Sequence, residues 1–342
     1  MSRLPGWLNL PQSAPCRVVH SKREKGDIYI GRGAPFGNPF PMHTEAERPV
    51  VVERFREWIK GQPELLRLAR QVMPGKSLGC FCAPEACHGD VYAEIANGEW
   101  DALIPDEPVF VFGSNLAGRH GKGAALDAKR QYGAVYGIGQ GLTGRAYALP
   151  TKDGDLNVLG LDRVLYEIDR LIDQAKQTPV IQYRMTRVGC GLAGLSEDLI
   201  AERLLRDAPS NILLPGVWEL RRSPGLARVV VAGTREIDDY DFLCAKLDRL
   251  LSRLSDIEIV SGGARGPDTM GERYAVERGL RLRRMPAYWD SFGKAAGGIR
   301  NRRMSWYGTH LIALWDQRST GTLNMIESAR QDGLGCRVLT TA

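Results

Sequence analysis

Ser261-Gly-Gly-Ala-Arg-Gly-Pro-Asp268 decides the fold. The apolar run Glu258 to Val260 enters it as a strand, and helical spacing over 267–278 leads out of it. A glycine loop between a strand and a helix lets a ligand approach the backbone and meet helix N–H groups, so the stretch reads as a cradle for a nucleotide phosphate. Working outward, Arg228 to Ala232 is a buried parallel strand that ends in Gly233-Thr-Arg235, and Asp238 to Leu254 carries apolar residues at helical spacing. Downstream come a strand over 280–284, the segment Gly297-Gly-Ile-Arg-Asn-Arg-Arg-Met304 with a helix from Ile299 to Trp306, and a strand Leu311 to Leu314. Ser319-Thr-Gly-Thr-Leu-Asn-Met-Ile-Glu327 then opens a helix over 322–331, and a strand over 336–339 closes the series. Five strands with helical crossovers predict a doubly wound, Rossmann-like parallel sheet. Its candidate ligand-binding residues are Gly233, Thr234, Arg235, Ser261, Gly262, Gly263, Arg265, Gly266, Asp268, Arg300, Gly321 and Thr322.

Charge points the same way. Arg281, Arg283, Arg284, Lys294, Arg300, Arg302 and Arg303 face one acid, Asp290, so this stretch carries as much positive charge as the formal +6 of all 342 residues. That favours an anionic ligand or a nucleic-acid backbone, with Tyr288, Trp289, Phe292, Trp306 and Tyr307 as candidate stacking platforms or as core. A composition of 43% hydrophobic residues fits a globular protein of two or three domains. With no apolar run of about 18 residues and no basic-then-apolar leader, neither membrane partner nor secretion is expected, and the chain reads as cytoplasmic. Seven scattered cysteines suit reduced thiols better than a disulfide framework.

Upstream of Ser223-Pro-Gly225, a second α/β unit spans 105–222. Strand Val109 to Phe112 delivers Gly113-Ser-Asn-Leu-Ala-Gly-Arg-His-Gly-Lys-Gly123 before a helix from Ala124 to Tyr132. Strand Ala146 to Pro150 runs into Thr151-Lys-Asp153, and strand Val180 to Arg184 precedes the loop Thr186-Arg-Val-Gly-Cys-Gly-Leu-Ala-Gly-Leu195. Candidate binding residues are Gly113, Ser114, Asn115, Gly121, Gly123, Gly189, Gly191 and Gly194; Lys152 reads as a catalytic lysine or as an exposed turn lysine.

The first unit, 1–104, starts with a proline-containing lead-in over 1–15 and a short strand Ile28 to Ile30. A Gly/Pro loop over 31–40, helices Glu45 to Lys60 and Pro63 to Val72, and a strand Ser77 to Phe81 follow. The strand runs into Cys80-Phe-Cys-Ala-Pro-Glu-Ala-Cys-His-Gly-Asp90. Spacing argues against zinc: Cys80 and Cys82 are expected to face apart, and Cys87 and His88 are adjacent, so no metal or other cofactor is assigned. Two readings stay open. The thiols pack as small apolar groups, or Cys82, Cys87, His88 or Asp90 acts on a ligand, with Cys82 and His88 the catalytic candidates and the helix N-terminus activating a thiol.

Three resemblances accompany these motifs. The Gly31-to-Phe40 and Cys80-to-Asp90 signatures resemble a small domain of unknown function common in phage and bacterial genomes. The middle unit, through Gly-Lys-Gly-Ala124, Thr151-Lys152 and Arg187-Val-Gly-Cys-Gly-Leu192, resembles a macro domain of the terminal ADP-ribose glycohydrolase branch. That implies ADP-ribose binding and attack by Lys152, but Ala193 stands where the branch has its acid, leaving Asp153 or His120 as substitutes. The third unit resembles the SLOG superfamily, in its YspA-like branch, related to Lonely Guy phosphoribohydrolases and DprA. Lonely Guy likeness implies N-glycosidic cleavage with Arg302 as the catalytic arginine; the glutamate position holds Met325, and Glu327 lies two residues on. DprA likeness implies a surface for single-stranded DNA. The expected architecture is three small α/β domains (1–104, 105–222, 223–342), recognising and hydrolysing a nucleotide or ADP-ribose-like ligand, with nucleic acid and a homodimer as further partners. A non-catalytic sensor and a DNA-binding or base-modifying protein are the alternatives.

Overall fold

A computed structural model describes residues 14–32, 34–104 and 106–340. The lead-in expected over 1–15 lies outside them up to residue 13, as does Pro105 of the expected linker. The protein is mixed α/β with mainly parallel sheets, in two compact units. One joins Met1–Pro105 to Ala227–Arg330 and Leu334–Ala342; the other holds Asp106–Leu226 with Gln331–Gly333. Among the described residues no helix is long and apolar enough to cross a membrane.

The N-terminal part of the first unit has strands β1 (Arg17–His20) and β2 (Ile28–Tyr29), helices α1 (Arg48–Lys60) and α2 (Pro63–Val72), strand β3 (Ser77–Cys80) and helix α3 (His88–Ala96). Its parallel sheet is ordered β1-β3-β2. Helix α1 buries Val51, Phe55 and Ile59, four residues apart on one face, and Pro63 opens α2 where no intrahelical N–H is needed. Phe55, Leu65, Leu66, Leu78, Tyr92 and Ile95 form the core. Strand β1 escapes sequence reading because it buries only Val19.

The second unit runs β4 (Val109–Asn115), α4 (Gly123–Tyr132), β5 (Gly141–Thr143), β6 (Ala146–Lys152), α5 (Leu161–Gln177), β7 (Tyr183–Met185), α6 (Glu197–Asp207), β8 (Ile212–Leu213) and α7 (Gly216–Arg222). Its sheet is ordered β5-β6-β4-β7-β8, with only β5 antiparallel to its neighbour among the pairs of described strands. Helix α5 buries Val164, Ile168, Leu171, Ile172 and Ala175, the stripe that fastens it to the sheet.

The C-terminal part of the first unit runs β9 (Leu226–Gly233), α8 (Tyr240–Leu251), β10 (Asp256–Ser261), α9 (Pro267–Glu277), β11 (Arg281–Arg284), α10 (Trp289–Phe292), α11 (Ala296–Tyr307), β12 (His310–Trp315), α12 (Thr320–Gln331) and β13 (Gly335–Thr340). Strand order is β11-β10-β9-β12-β13, the doubly wound arrangement expected from the alternation, and the chain reverses its winding between β9 and β12. Ligands of such sheets bind beyond the carboxyl ends of the strands.

Within this unit the corner between α1 and α2 covers the free edge of β11. Gln62, 4% exposed, donates from Nε2 to Leu282 O (2.8 Å) and accepts the Arg284 N–H at Oε1 (3.0 Å). Its carboxamide thus pairs with an edge strand as a neighbouring peptide would. Trp58 Nε1 donates to the same Leu282 carbonyl (3.1 Å), Arg283 Nη1 donates to Gly61 O (2.8 Å), and Tyr288 OH donates to Glu64 O (3.2 Å).

Candidate functional site

The Ser261–Asp268 loop is shaped from within. Ser261, fully buried, donates from Oγ to Glu272 Oε1 (2.8 Å) and accepts Gly263 N–H (3.0 Å). Asp268, in the first turn of α9, accepts the Gly262 and Ala264 N–H groups (3.2 and 3.4 Å) and faces Arg300 Nη1 at 3.4 Å. Burial raises its pKa to about 6, against the lowering effect of Arg300. Asp268 therefore holds the loop and Arg300. Gly266 adopts φ +84° close to Arg235 O and Thr234 O, and a side chain at Gly233 would strike Leu314 O and Pro267, so both glycines serve close packing of loop ends. Thr234 is likewise internal, donating to Asp316 Oδ1 at 2.9 Å.

Beyond the ends of β9, β10 and β11 lies a cavity of about 430 Å³, bounded by Arg235, the Gly262–Arg265 loop, Trp289 and Arg300. Pro35 of the N-terminal part forms another wall. Its volume is that of small-molecule sites. Arg265, one of its lining residues, donates to Arg235 O (3.3 Å) and pairs with Glu236 (3.1 Å), while Arg235 has no ion pair among the described residues. Three guanidinium groups around a glycine loop, with a half-exposed indole beside them, make a site for a planar ring carrying an anion.

Other expected members stand elsewhere. Arg302 lies over the Trp306 ring at 5.2 Å, and Arg303 over Tyr288 at 5.0 Å. Two positions along a helix turn a side chain by about 200°, so Arg300, not Arg302, enters the cavity. Glu327 is exposed and outside the cavity lining, while Met325 is buried. Gly321 and Thr322 act through neighbours: Gly321 O accepts Asn301 Nδ2 (3.2 Å), and Thr322 Oγ1 donates to Ser319 Oγ (3.0 Å).

The basic stretch over 281–303 is not the free positive face its composition implied. Arg281 pairs with Asp256, Arg283 with Glu258 and Glu64, Arg284 with Glu272 and Arg300 with Asp268. The partner acids all lie outside the stretch itself, where a local charge count cannot see them. The aromatic residues, read as stacking platforms or as core, divide between the two. Trp306 is buried, Tyr307 OH donates to Glu258, and of the five only Trp289 lines the cavity.

In the second unit the strand ends bring the expected loops together. A Cβ on Gly113 would lie 3.5 Å from Thr151 Oγ1 and 3.8 Å from Gly189 N, and one on Gly123 would lie 3.8 Å from Leu192 Cδ1. Gly121, Gly191 and Gly194 face open space, and Lys152 is half-buried at the end of β6. Ser114 and Asn115 shape the loop: Ser114 O accepts Thr151 Oγ1 (3.2 Å), and the Asn115 side chain clasps the Arg119 backbone (2.9 and 3.0 Å). Asp153 is engaged by Asn157, which with nearby backbone N–H groups lowers its pKa. His120 is buried against Phe112, its ring nitrogens without a hydrogen bond of normal geometry, and burial lowers its pKa. Burial pushes the Cys190 thiol up to about 12, away from the thiolate form.

In the N-terminal part Cys80, Cys87 and His88 are buried, with their ligating atoms all within 4.8 Å of one another. The expectation that Cys80 and Cys82 face apart is wrong. Residues two apart on a strand share a face, and β3 ends at Cys80, after which the chain turns. The neighbouring Cys80 and Cys87 thiols, with Arg48, hold Cys82 far below the usual thiol range. Cys87 is held high as their partner and by burial. Cys87 also caps α3, its Sγ accepting Gly89 N–H (3.2 Å), and Asp90 makes the return bond, its Oδ2 accepting Cys87 N–H (2.7 Å). A smaller cavity of about 200 Å³ adjoins the thiols, lined also by Arg32, Asn38, Phe40, Met42 and Arg48.

Fold and cavity define an α/β protein whose C-terminal part has the ligand-site architecture of a doubly wound sheet. Known families match at both ends. Residues 17–98 match the family described as Domain of unknown function (DUF4326), and residues 227–292 match the YspA, cpYpsA-related SLOG family. A protein of Enterobacteria phage T4, described as an uncharacterized 12.4 kDa protein in the nrdA-td intergenic region, is 33% identical over 85 residues, 24% of this chain and 78% of that protein. The chain belongs to the DUF4326 family through its N-terminal part, and it carries a SLOG-family domain at its C-terminal end.

Proposed function

We propose that the first unit binds a nucleoside phosphate in the cavity above Gly262–Arg265. One observation carries this reading: Arg235, Arg265 and Arg300 converge on a glycine loop with Trp289 alongside. The base stacks on Trp289, and the phosphate takes the guanidinium groups. Membership of the SLOG family supports a nucleotide-related role. In this reading the glycine loops and Lys152 of the second unit offer a separate place for a ribose-phosphate of the ADP-ribose kind.

Hydrolysis of the N-glycosidic bond is the finer reading. A carboxylate is needed to assist ribose attack or water, and Glu236 is the carboxylate among the described residues that line the cavity. Incubation of the full chain with nucleoside monophosphates, NAD and ADP-ribose, followed by mass spectrometry, separates the outcomes. Released base that disappears in Glu236→Gln supports hydrolysis. Tight binding of unchanged nucleotide supports a sensor, and no binding of any of them sinks the whole reading.

A further inference from the structure

We propose that Cys80, Cys82, Cys87 and His88 form a site for one tetrahedral zinc ion. The donor set is three sulfurs and one imidazole, the composition of a closed structural site. In a tetrahedron with bonds of about 2.0–2.3 Å, neighbouring donors stand about 3.3–3.8 Å apart. Here the donor atoms of Cys80, Cys87 and His88 lie within 4.8 Å of one another, and Cys82, outside that cluster, lines the same small cavity from the half-exposed turn, so closure requires the Cys82 side chain to swing in as the fourth ligand.

The surroundings match such an ion. His88 Nε2 donates to the Ile30 carbonyl at 2.9 Å, which fixes the tautomer and leaves the Nδ1 lone pair for the metal, the usual outer arrangement of a ligating histidine. Gly89 N–H donates to Cys87 Sγ, and Arg48, which also pairs with Glu45, lines the same small cavity as Cys82, a positive group near the single negative charge of a zinc with three thiolates. Each coordinated thiol releases its proton to solvent and no electron moves. The ion would tie the end of β3, the turn over 81–86 and the start of α3 into one knot, in a part of the chain whose strands are only two to four residues long.

The test uses the tag-free full chain purified under reducing conditions and offered zinc or cobalt(II). The expected result is close to one zinc per chain by elemental mass spectrometry, and a cobalt form with intense visible bands of four-coordinate thiolate ligation. Cys80→Ser and Cys87→Ser should each weaken metal binding about 10-fold or more, whereas Cys190→Ser and Cys336→Ser should leave it unchanged. Should the core variants fail to fold, Cys82→Ser at its half-exposed position and the cobalt spectrum of the unmodified chain decide the matter. The proposal is overturned by a folded, reduced chain that takes up neither metal, by metal retained in the Cys80→Ser/Cys87→Ser double variant, or by one of these thiols alkylating rapidly with zinc present.

Discussion

Arg300 reaches the cavity only because position 262 has no side chain: a Cβ there would overlap its guanidinium. Gly262→Ala should therefore push aside a flexible arginine end at little cost in stability, while removing a charge-assisted contact worth about 1.5–3 kcal/mol, or about 10- to 100-fold in nucleotide affinity. Calorimetric titration beside a thermal melt checks both halves; unchanged affinity would take Arg300 out of the site. Its partner Asp268 predicts a pH dependence. With its folded pKa raised to about 6, the folded state holds the proton more tightly than the unfolded chain, so this group favours folding at low pH and the benefit is lost as pH rises through about 6. Below that value Asp268 is neutral and Arg300 is uncompensated, so an anion binds better. Because the phosphate titrates near 6 itself, the measurement is the ratio of wild-type affinity to that of Asp268→Asn. That ratio should approach one below about pH 5 and fall above about pH 7; a flat ratio would contradict the coupling.

At the scale of elements, the tie between β11, α9 and the N-terminal loop is the buried pair of Arg284 and Glu272. Arg284 Nε donates to Glu272 Oε1 at 2.8 Å, and its Nη1 reaches Gly37 O at 2.6 Å. Arg284→Met strands a buried carboxylate and should cost about 3–5 kcal/mol in urea unfolding, with Arg284→Met/Glu272→Gln regaining a part. A single variant as stable as the wild type would show that the pair contributes little. The same elements mark what the sequence could tell. Continuous apolar strands such as Val229–Val231 and glycine loops such as Ser261–Asp268 announced the doubly wound sheet, because those signals are local. Arg284 looked like one more exposed cation, and Gln62 like nothing at all, because their meaning lies in partners more than 200 positions away along the chain for Gln62 and across α9 for Arg284. The displacement of Arg302 by Arg300 is of another kind: the motif was visible, but which of its arginines faces the ligand depends on the helix's rotation.

Across the whole molecule, the first unit is assembled from stretches before and after Asp106–Leu226, and its own cavity takes walls from the N-terminal stretch and from Ala227–Arg330. Pro35 stands beside the Gly262–Arg265 loop, and the next residues are anchored through Gly37 O to Arg284, which pairs with the Glu272 that also holds Ser261. The 31–40 loop and the 261–268 loop therefore share one buried polar network, and such networks order or loosen as a whole. A nucleotide filling the cavity should slow amide hydrogen exchange in both loops together, although 31–40 supplies none of the arginines. In Arg284→Met the two should separate: protection would persist over 261–268 and fade over 31–40, because the link is cut while the arginine cluster remains. Hydrogen-exchange mass spectrometry with and without saturating nucleotide reads both segments in one experiment. Protection confined to 261–268 in the unaltered chain would mean that the N-terminal part only covers the β11 edge, whereas coupled protection makes it a working wall of the site.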